Sequence, residues 1–190
     1  QHVAAGKLAF CAAIEDAVAE ADIVWITYDT PVDDRDEADV DFVRRAAESV
    51  IPLLKRGAVL LVSSQVPVGF CRDIEERIAE LRPDAKLSVV YSPENLQLGV
   101  ALRSFREAER VVIGTRSGGE DPRVRALFEP FAAELLWMAT ESAEMTKHAL
   151  NGFLAASLSF INEVAALCEA VGADAVHVER ALRLDKRIGK

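Results

Sequence analysis

Runs of apolar residues alternate with amphipathic stretches over the first 139 residues of the chain. Five runs are rich in β-forming residues and show no polar alternation, which is typical of strands buried on both faces of a sheet; they cover residues 22–28, 58–64, 87–92, 110–115 and 134–139. A shorter candidate strand covers residues 7–12. Helical spacing between the runs predicts helices at residues 14–21, 41–54, 71–82 and 121–132. This order predicts an α/β fold, a partial Rossmann-like parallel sheet with crossover helices.

The pattern changes near residue 140, where the strand signals end. A helical pattern runs from about Ser142 to Val171, and Gly172 stands in the position of a C-terminal cap. A second helix is predicted at residues 174–182, with Asp174 as its N-terminal cap. We therefore expect a sheet domain over residues 1–139 and the start of an all-α region over residues 140–190.

The long helix is apolar around most of its circumference and carries one narrow polar stripe. At 100° per residue, Asn151 lies about 40° from Lys147, and Glu144 and Asn162 lie about 60° from it. Such a helix is expected to be buried, so its stripe must meet water, a partner or a ligand. Lys147 can reach solvent while Asn151 bonds a neighbouring loop, or the two side chains can form a donor pair for one developing oxyanion.

Three loops follow successive predicted strands, at residues 27–34, 63–70 and 92–99. In an open parallel sheet such loops lie along one edge, where ligands bind. The first two carry short hydroxyl side chains that suit hydrogen bonds to a cofactor. Glu94, in the third loop, is a single carboxylate directly after a strand and a proline. It is either a solvated loop residue or, where it is partly buried, a general base.

The net charge and the cysteine content limit which classes of partner and which kinds of cysteine site the chain can have. The formal net charge of −9 argues against nucleic acid or an anionic membrane as a main partner, whereas small anionic ligands respond to local fields. No uninterrupted apolar run approaches about eighteen residues, the length of a membrane span, and the N-terminus shows no signal-peptide pattern. The three cysteines, Cys11, Cys71 and Cys168, are scattered and form no CxxC motif. They indicate reduced, buried thiols of a cytoplasmic protein rather than disulfides or a metal site.

Five stretches together resemble the UDP-glucose/GDP-mannose dehydrogenase family. They are ADIVWITYDTP, SSQVPVG, SPENLQLG with RVVIGT behind it, SAEMTKHALNGFLAASLSFINEVAALCEAVGAD, and DKRIG at the end. They follow the family's order and spacing and cover nearly the whole chain. The resemblance implies an NAD-dependent, four-electron oxidation of a sugar nucleotide's C6 alcohol to a uronic acid, through a cysteine thioester, as in polysaccharide biosynthesis. UDP-glucose is the favoured substrate, although enzymes for UDP-N-acetylhexosamines and GDP-mannose share these motifs.

The resemblance also implies roles for individual residues. Glu94 matches the base for thioester hydrolysis, and Lys147 and Asn151 match the oxyanion-stabilising pair. Leu96 matches the stretch that lines the sugar nucleotide, and Arg187 matches an arginine that reaches the substrate of the neighbouring subunit. The positions implied beside NAD are Thr30, Pro31, Ser64 and Gln65. The long helix matches the connector between two nucleotide-binding domains and a major part of a homodimer interface.

The chain departs from the family pattern in two large ways. No GxGxxG motif occurs among its ten glycines, and the family places that phosphate-binding turn ahead of the point where this chain begins. None of the three cysteines matches the nucleophile, which the family places shortly after the RIG motif. We therefore expect the middle part of a longer dehydrogenase, inactive by itself. Gln65 in place of a threonine, and Asn95 and Leu98 in the third loop, are smaller departures that leave the substrate open.

Two other functions stay open at this point. A β-hydroxyacid or 6-phosphogluconate type of dehydrogenase also has Lys–x–x–x–Asn on a long helix after a Rossmann domain, but it does not account for SPENLQLG or DKRIG. A non-catalytic dimerisation or regulatory module on the same scaffold would account for the two absent motifs. The residues that flank positions 1 and 190 in the native gene product distinguish these functions.

Overall fold

The computed structural model describes residues 2–35, 37–94 and 99–188. The helices are α1 (Ile14–Val18), α2 (Val40–Val50), α3 (Phe70–Leu81), α4 (Ala101–Arg106), α5 (Pro122–Phe128), α6 (Thr140–Val171) and α7 (Ala175–Leu184), with a 3₁₀ turn at Ile51–Leu53. The strands are β1 (Ile23–Ile26), β2 (Val59–Val62), β3 (Ser88–Tyr91), β4 (Val111–Thr115) and β5 (Leu135–Ala139). The chain divides into two compact units, residues 1–147 and residues 148–190.

The strands of the first unit form one sheet in the order β1-β2-β3-β4-β5. The pairs β1–β2, β2–β3 and β4–β5 are parallel, whereas β3 and β4 pair antiparallel over Val90↔Thr115 and Tyr91↔Gly114. The predicted α/β, Rossmann-like fold is confirmed, but a wholly parallel sheet is wrong at this one pair. A parallel return requires a crossover that covers a sheet face. The described part of the β3–β4 connection contains only α4, which has no buried residue.

The reversal at β4 determines which loops share an edge. The loops after β1, β2 and β3 leave the same, carboxyl edge, as predicted. The turn at residues 116–121 follows β4 in the opposite direction, and Ser117 and Gly119 line a cleft together with Ser88 and Val89 at the start of β3. Helix α6 follows β5 and extends back to the carboxyl edge, where Lys147 contacts Glu94.

Alternate residues of each strand enter two separate cores. Leu60, Val62 and Tyr91 belong to the core beneath α2 and α3. Val59 and Leu61 point to the other face, where they pack with the core that includes Val124 and Phe128 of α5. Because both faces are covered, the strands have no polar alternation, and this explains why the sequence pattern located every strand to within two residues.

Several predicted helix and strand bounds are wrong. Residues 7–12 form no strand. Helix α2 ends at Val50, and Pro52, which has no backbone N–H, lies in the following 3₁₀ turn. Helix α5 ends at Phe128, two residues before Pro130. Helix α4 was not predicted from the sequence.

The long helix is confirmed in extent but not in burial. Beyond Lys147 it exposes large apolar side chains, including Phe153 (68%), Leu158 (63%) and Phe160 (59%), so the expected burial is wrong for a single chain. By length and composition α6 could also span a membrane, with mean hydropathy 1.5 over an eighteen-residue window. The expectation that no uninterrupted apolar run reaches that length still holds, because polar residues such as Asn151 interrupt the helix. The core helix of a soluble protein meets the same criteria of length and composition.

The cysteines are free thiols. Cys71 and Cys168 are buried, as predicted, but Cys11 is exposed, so the expectation of burial is wrong there. Cys11 lies in the predicted strand at residues 7–12, which forms no strand, and this explains why no core covers it.

Candidate functional site

A cavity of about 340 Å³ opens at the carboxyl ends of β1, β2 and β3. The predicted site residues that line it are Thr30, Ser64, Gln65, Glu94 and Lys147. They arrive from three loops and from α6, and they meet because the first three strands are parallel and end at one edge. Pro31 is adjacent to Thr30 but is not among the lining residues of this cavity.

The first two loops are joined by side-chain hydrogen bonds. Thr30 Oγ1 donates to the backbone carbonyl of Gln65 at 2.6 Å. Ser64, which is buried, donates from Oγ to the backbone carbonyl of Tyr28 at 2.6 Å. The hydroxyl protons that were predicted to bond a cofactor are therefore used within the protein, where they fix one loop against the other.

This arrangement limits what the two hydroxyls can offer a ligand. A hydroxyl that donates its proton keeps lone pairs that can accept hydrogen bonds. Thr30 and Ser64 thus suit a ligand group that donates, such as a ribose hydroxyl or a carboxamide. Phosphate oxygens instead need donors, usually backbone N–H groups at a helix N-terminus. These two hydroxyls therefore suit the ribose and carboxamide groups of a nicotinamide cofactor better than its pyrophosphate.

Lys147 is directed at the third loop. Its ammonium Nζ donates to the backbone carbonyl of Glu94 at 2.6 Å. Lys147 is half-buried, whereas Glu94 is exposed, so partial burial does not support the general-base alternative and that role rests on the family resemblance. The contact uses the Glu94 backbone and not its carboxylate. Lys147 and Glu94 both line the cavity, where Lys147 was predicted to donate to an oxyanion together with Asn151 and Glu94 was predicted to act as a base.

A second cavity, of about 370 Å³, adjoins the same edge and is more apolar. Trp25, Phe105 and Phe131 line it, and Glu94 and Ser63 border both cavities. Ser63 is held by the Trp25 indole, which donates from Nε1 to Ser63 Oγ at 2.8 Å. Glu94 thus stands at the boundary between a polar cavity and an aromatic one.

Glu144 is a buried carboxylate beneath the site, and sequence reasoning placed it only on the polar stripe. It is 0% exposed and accepts hydrogen bonds from the backbone N–H groups of Gly69 at 2.7 Å and Cys71 at 2.9 Å. Gly69 is the N-cap residue of α3, at the end of the second loop, and Cys71 lies in the first turn of the helix. The available signal was the spacing, since Glu144 precedes Lys147 by three residues and shares its helix face.

Two neighbours of Glu144 are held in their neutral forms. Burial first, and the Glu144 carboxylate second, raise the pKa of the Cys71 thiol well above its ordinary value. A helix N-terminus ordinarily favours a thiolate, but here Glu144 occupies the N–H groups. Burial, with smaller contributions from Cys71 and Glu144, also raises the pKa of Tyr91. Cys71 therefore lacks the thiolate character of a nucleophile.

The remaining predicted residues do not meet at this cavity in the described structure. Asn151 is exposed and lies in the second unit, one helical turn along α6 from Lys147. Arg187, also in the second unit, is exposed and pairs with Asp185, from Nη2 to Oδ2 at 2.5 Å. Leu96, with Asn95 and Leu98, lies outside the described residues. The roles of these residues stay predictions.

Among the described residues, no group of three or more His, Cys, Asp or Glu side chains could hold a metal ion.

Comparison with known proteins matches both parts of the chain to domains of one family. Residues 1–132 match the family model for the NAD binding domain of the UDP-glucose/GDP-mannose dehydrogenase family, and residues 141–190 match its central domain. The UDP-glucose 6-dehydrogenase of Rhizobium meliloti is 38% identical over 99% of this chain and 44% of its own length. The enzyme YwqF of Bacillus subtilis, also a UDP-glucose 6-dehydrogenase, is 37% identical over 100% of this chain and 43% of its own.

Solved structures show the same correspondence. A UDP-glucose dehydrogenase from Pyrobaculum islandicum aligns with a TM-score of 0.85 at 35% identity, covering 98% of this chain and 44% of that protein. A GDP-mannose dehydrogenase from Pseudomonas aeruginosa aligns with a TM-score of 0.80 at 22% identity, over 96% of this chain and 43% of that protein, and so shares the fold. The chain spans less than half the length of these relatives.

Proposed function

The chain belongs to the UDP-glucose/GDP-mannose dehydrogenase family, and we propose that it forms part of an NAD-dependent enzyme that oxidises the C6 alcohol of a nucleotide sugar, first of all UDP-glucose, to the uronic acid. The observation that carries this proposal is the convergence of three loops and Lys147 on one cavity at the carboxyl edge of the sheet. A cytoplasmic location agrees with the free thiols.

Residues of the first two loops would hold the cofactor. Thr30, Ser64 and Gln65 face the cavity, and Pro31 fixes the backbone beside Thr30. Because the two hydroxyls offer acceptors, they would bind the ribose and carboxamide end of NAD. NAD, when bound there, supplies the hydride acceptor.

The third loop and α6 would supply the groups that act on the sugar. Lys147, with Asn151 one turn beyond it, would donate to the oxyanion that develops at C6. Glu94 would remove a proton from the water that hydrolyses the thioester. Leu96 would contact the sugar nucleotide. None of Cys11, Cys71 and Cys168 matches the family's nucleophile by motif, and Cys71 and Cys168 are also buried, so the thioester would form on a cysteine outside these 190 residues.

We also propose that the enzyme is a homodimer in which residues 1–139 belong to the NAD-binding domain and residues 140–190 to the central helical domain. The exposed apolar side chains of α6 supply surface for such an interface. Arg187 would then reach the substrate of the neighbouring subunit.

The test is NADH formation by the native protein that contains this chain. We expect UDP-glucose to yield two NADH per uronic acid and to outperform GDP-mannose and UDP-N-acetylhexosamines. Lys147→Met should lower kcat by about 100-fold or more, as removal of an oxyanion donor does. Lys55→Met is the control, because Lys55 pairs with Asp22 rather than lining the cavity.

Three results would change the proposal. NADH formation by the 190 residues alone would contradict the expected inactivity and the external nucleophile. Turnover of a β-hydroxyacid in place of every sugar nucleotide would favour the other dehydrogenase class. A native protein that forms dimers but neither binds NAD nor turns over substrate would favour the non-catalytic module.

A further inference from the structure

The N-terminus of α3 is capped by a residue distant in sequence. Its own N-cap position is Gly69, at φ 100°, which has no side chain to accept a hydrogen bond. Glu144 supplies the cap instead, with Oε2 on the Gly69 N–H and Oε1 on the Cys71 N–H. A carboxylate here gains both from charge-assisted hydrogen bonds and from the positive end of the helix dipole. The two contacts satisfy both oxygens of a side chain that is fully buried.

This cap links parts of the site that are far apart in the chain. Gly69 ends the second loop, which is bonded to the first loop through Thr30 and Ser64. Glu144 lies on α6, and Lys147 follows it by three residues on the same helix. Lys147 in turn bonds the third loop at Glu94. The hydrogen bonds therefore connect all three loops, and the Glu144 contacts join α6 to the end of the second loop and the start of α3.

We propose that Glu144 is a positioning residue for the dehydrogenase reaction, holding the Lys147 ammonium at a fixed distance from the loops that hold the cofactor. This inference rests on the function proposed above. The carboxylate does not touch the cavity, since Glu144 is absent from the residues that line it. Its effect passes through the rigid helical turn between Glu144 and Lys147 and through the start of α3.

The side-chain chemistry specifies the test variant. Glutamine matches glutamate in size but offers one acceptor oxygen, and its NH₂ group would face a backbone N–H. Glu144→Gln should therefore lose one of the two contacts and leave a buried donor unsatisfied. Glu144→Asp keeps the charge and both acceptors on a shorter stem, so it should restore part of what Gln loses.

The experiment uses the native protein that contains this chain, with UDP-glucose and NAD. For Glu144→Gln we expect kcat to fall by about 10- to 100-fold, the scale of a displacement of about 1 Å in a catalytic group, while KM for UDP-glucose changes by less than about threefold. Glu144→Asp should recover part of the lost kcat. Amide hydrogen exchange at Gly69 and Cys71 should accelerate in Glu144→Gln and less so in Glu144→Asp.

Glu141→Gln is the matched control. Glu141 lies one turn before Glu144 on α6, but it pairs with Arg72 and Arg116 at the surface. The Glu141→Gln substitution should lower the melting temperature with little change in kcat. Equal kcat values for Glu144→Gln and Glu141→Gln, measured where both are folded, would overturn the positioning role while leaving the proposed function intact. A wild-type protein that forms no NADH would overturn the proposed function and this role with it.

Discussion

At the scale of single residues, Tyr91 combines complete burial with an unsatisfied hydroxyl. It is the largest of the fully buried side chains, and its hydroxyl has no hydrogen-bond partner among the residues that the structure describes. A buried polar group without a partner costs free energy relative to an apolar group of the same shape. Tyr91→Phe should therefore raise the free energy of unfolding by about 1 kcal/mol.

Urea unfolding of both proteins measures this effect. Tyr28→Phe is the control, because Tyr28 is half exposed and water can satisfy its hydroxyl. A loss of stability in Tyr91→Phe would mean that the hydroxyl bonds an ordered water, as buried polar groups often do.

A second residue, Glu141, makes stability depend on pH. Hydrogen bonds from Arg116 first and Arg72 second lower the pKa of Glu141 from 4.5 to about 2. Because the pKa is lower in the folded state, the stabilisation is fully present above pH 4.5 and is lost as the pH falls through about 2. The difference in melting temperature between wild type and Glu141→Gln should therefore be smaller at pH 3 than at pH 6.

Added salt should reduce that difference at pH 6 as well, since Arg72 and Arg116 are partly exposed and exposed ion pairs are screened. A difference that is equal at both pH values would show that Glu141 acts through packing and not through its charge.

The sequence predicted most of the functional residues that line the cavity, but not the hydrogen bonds that hold them in place. Thr30, Ser64, Gln65 and Glu94 follow strands directly, so strand prediction alone placed them at one edge. The use of two hydroxyl protons between loops was not visible, because it depends on how two loops meet. The burial of Glu144 depends likewise on the packing of α6 against α3, which no local pattern records.

At the scale of elements, the close approach of α6 to β4 requires a glycine. A Cβ added at Gly114 would lie 2.7 Å from Cβ of Ala143 and 2.9 Å from Cα of Thr140. One of these atoms is backbone, so the helix would have to shift. Gly114→Ala should lower the free energy of unfolding by about 1–3 kcal/mol, the usual cost of overpacking.

Gly152→Ala is the opposite case and the control. Gly152 lies inside α6, and an added Cβ would meet nothing within 4 Å. Replacing a helix-interior glycine with alanine should raise stability by about 0.5–1 kcal/mol. Thermal unfolding of both variants tests the pair, and equal shifts in melting temperature would contradict the contact between α6 and β4.

Element positions were predictable where burial alone determines the sequence pattern. Strands covered on both faces, such as β2, require continuous apolar runs, and these were found. The direction of β4 was not predictable, because a buried strand has the same pattern in either direction. Helix α4 has six residues and none buried, so it is too short for its apolar residues to establish a helical period.

At the scale of the whole molecule, α6 has more apolar surface than one chain covers. Phe153, Phe160 and Leu167 recur at seven-residue spacing, and they are 68%, 59% and 64% exposed. Seven-residue spacing places side chains on one face of a helix, as in helices that pack lengthwise against a second helix. The sequence predicted the apolar helix correctly, and its expected burial depends on the homodimer interface that the family resemblance implies.

The proposed homodimer makes this surface testable. A symmetric interface contains each substituted position twice. Phe160→Glu should therefore remove about 3–6 kcal/mol of apolar burial per dimer and weaken association by more than about 100-fold. Light scattering of the native protein over a range of concentrations should show a dimer that becomes a monomer in this variant. Phe10→Glu is the control, because Phe10 is 86% exposed but lies outside α6. A Phe160→Glu protein that stays dimeric would place the interface on another surface.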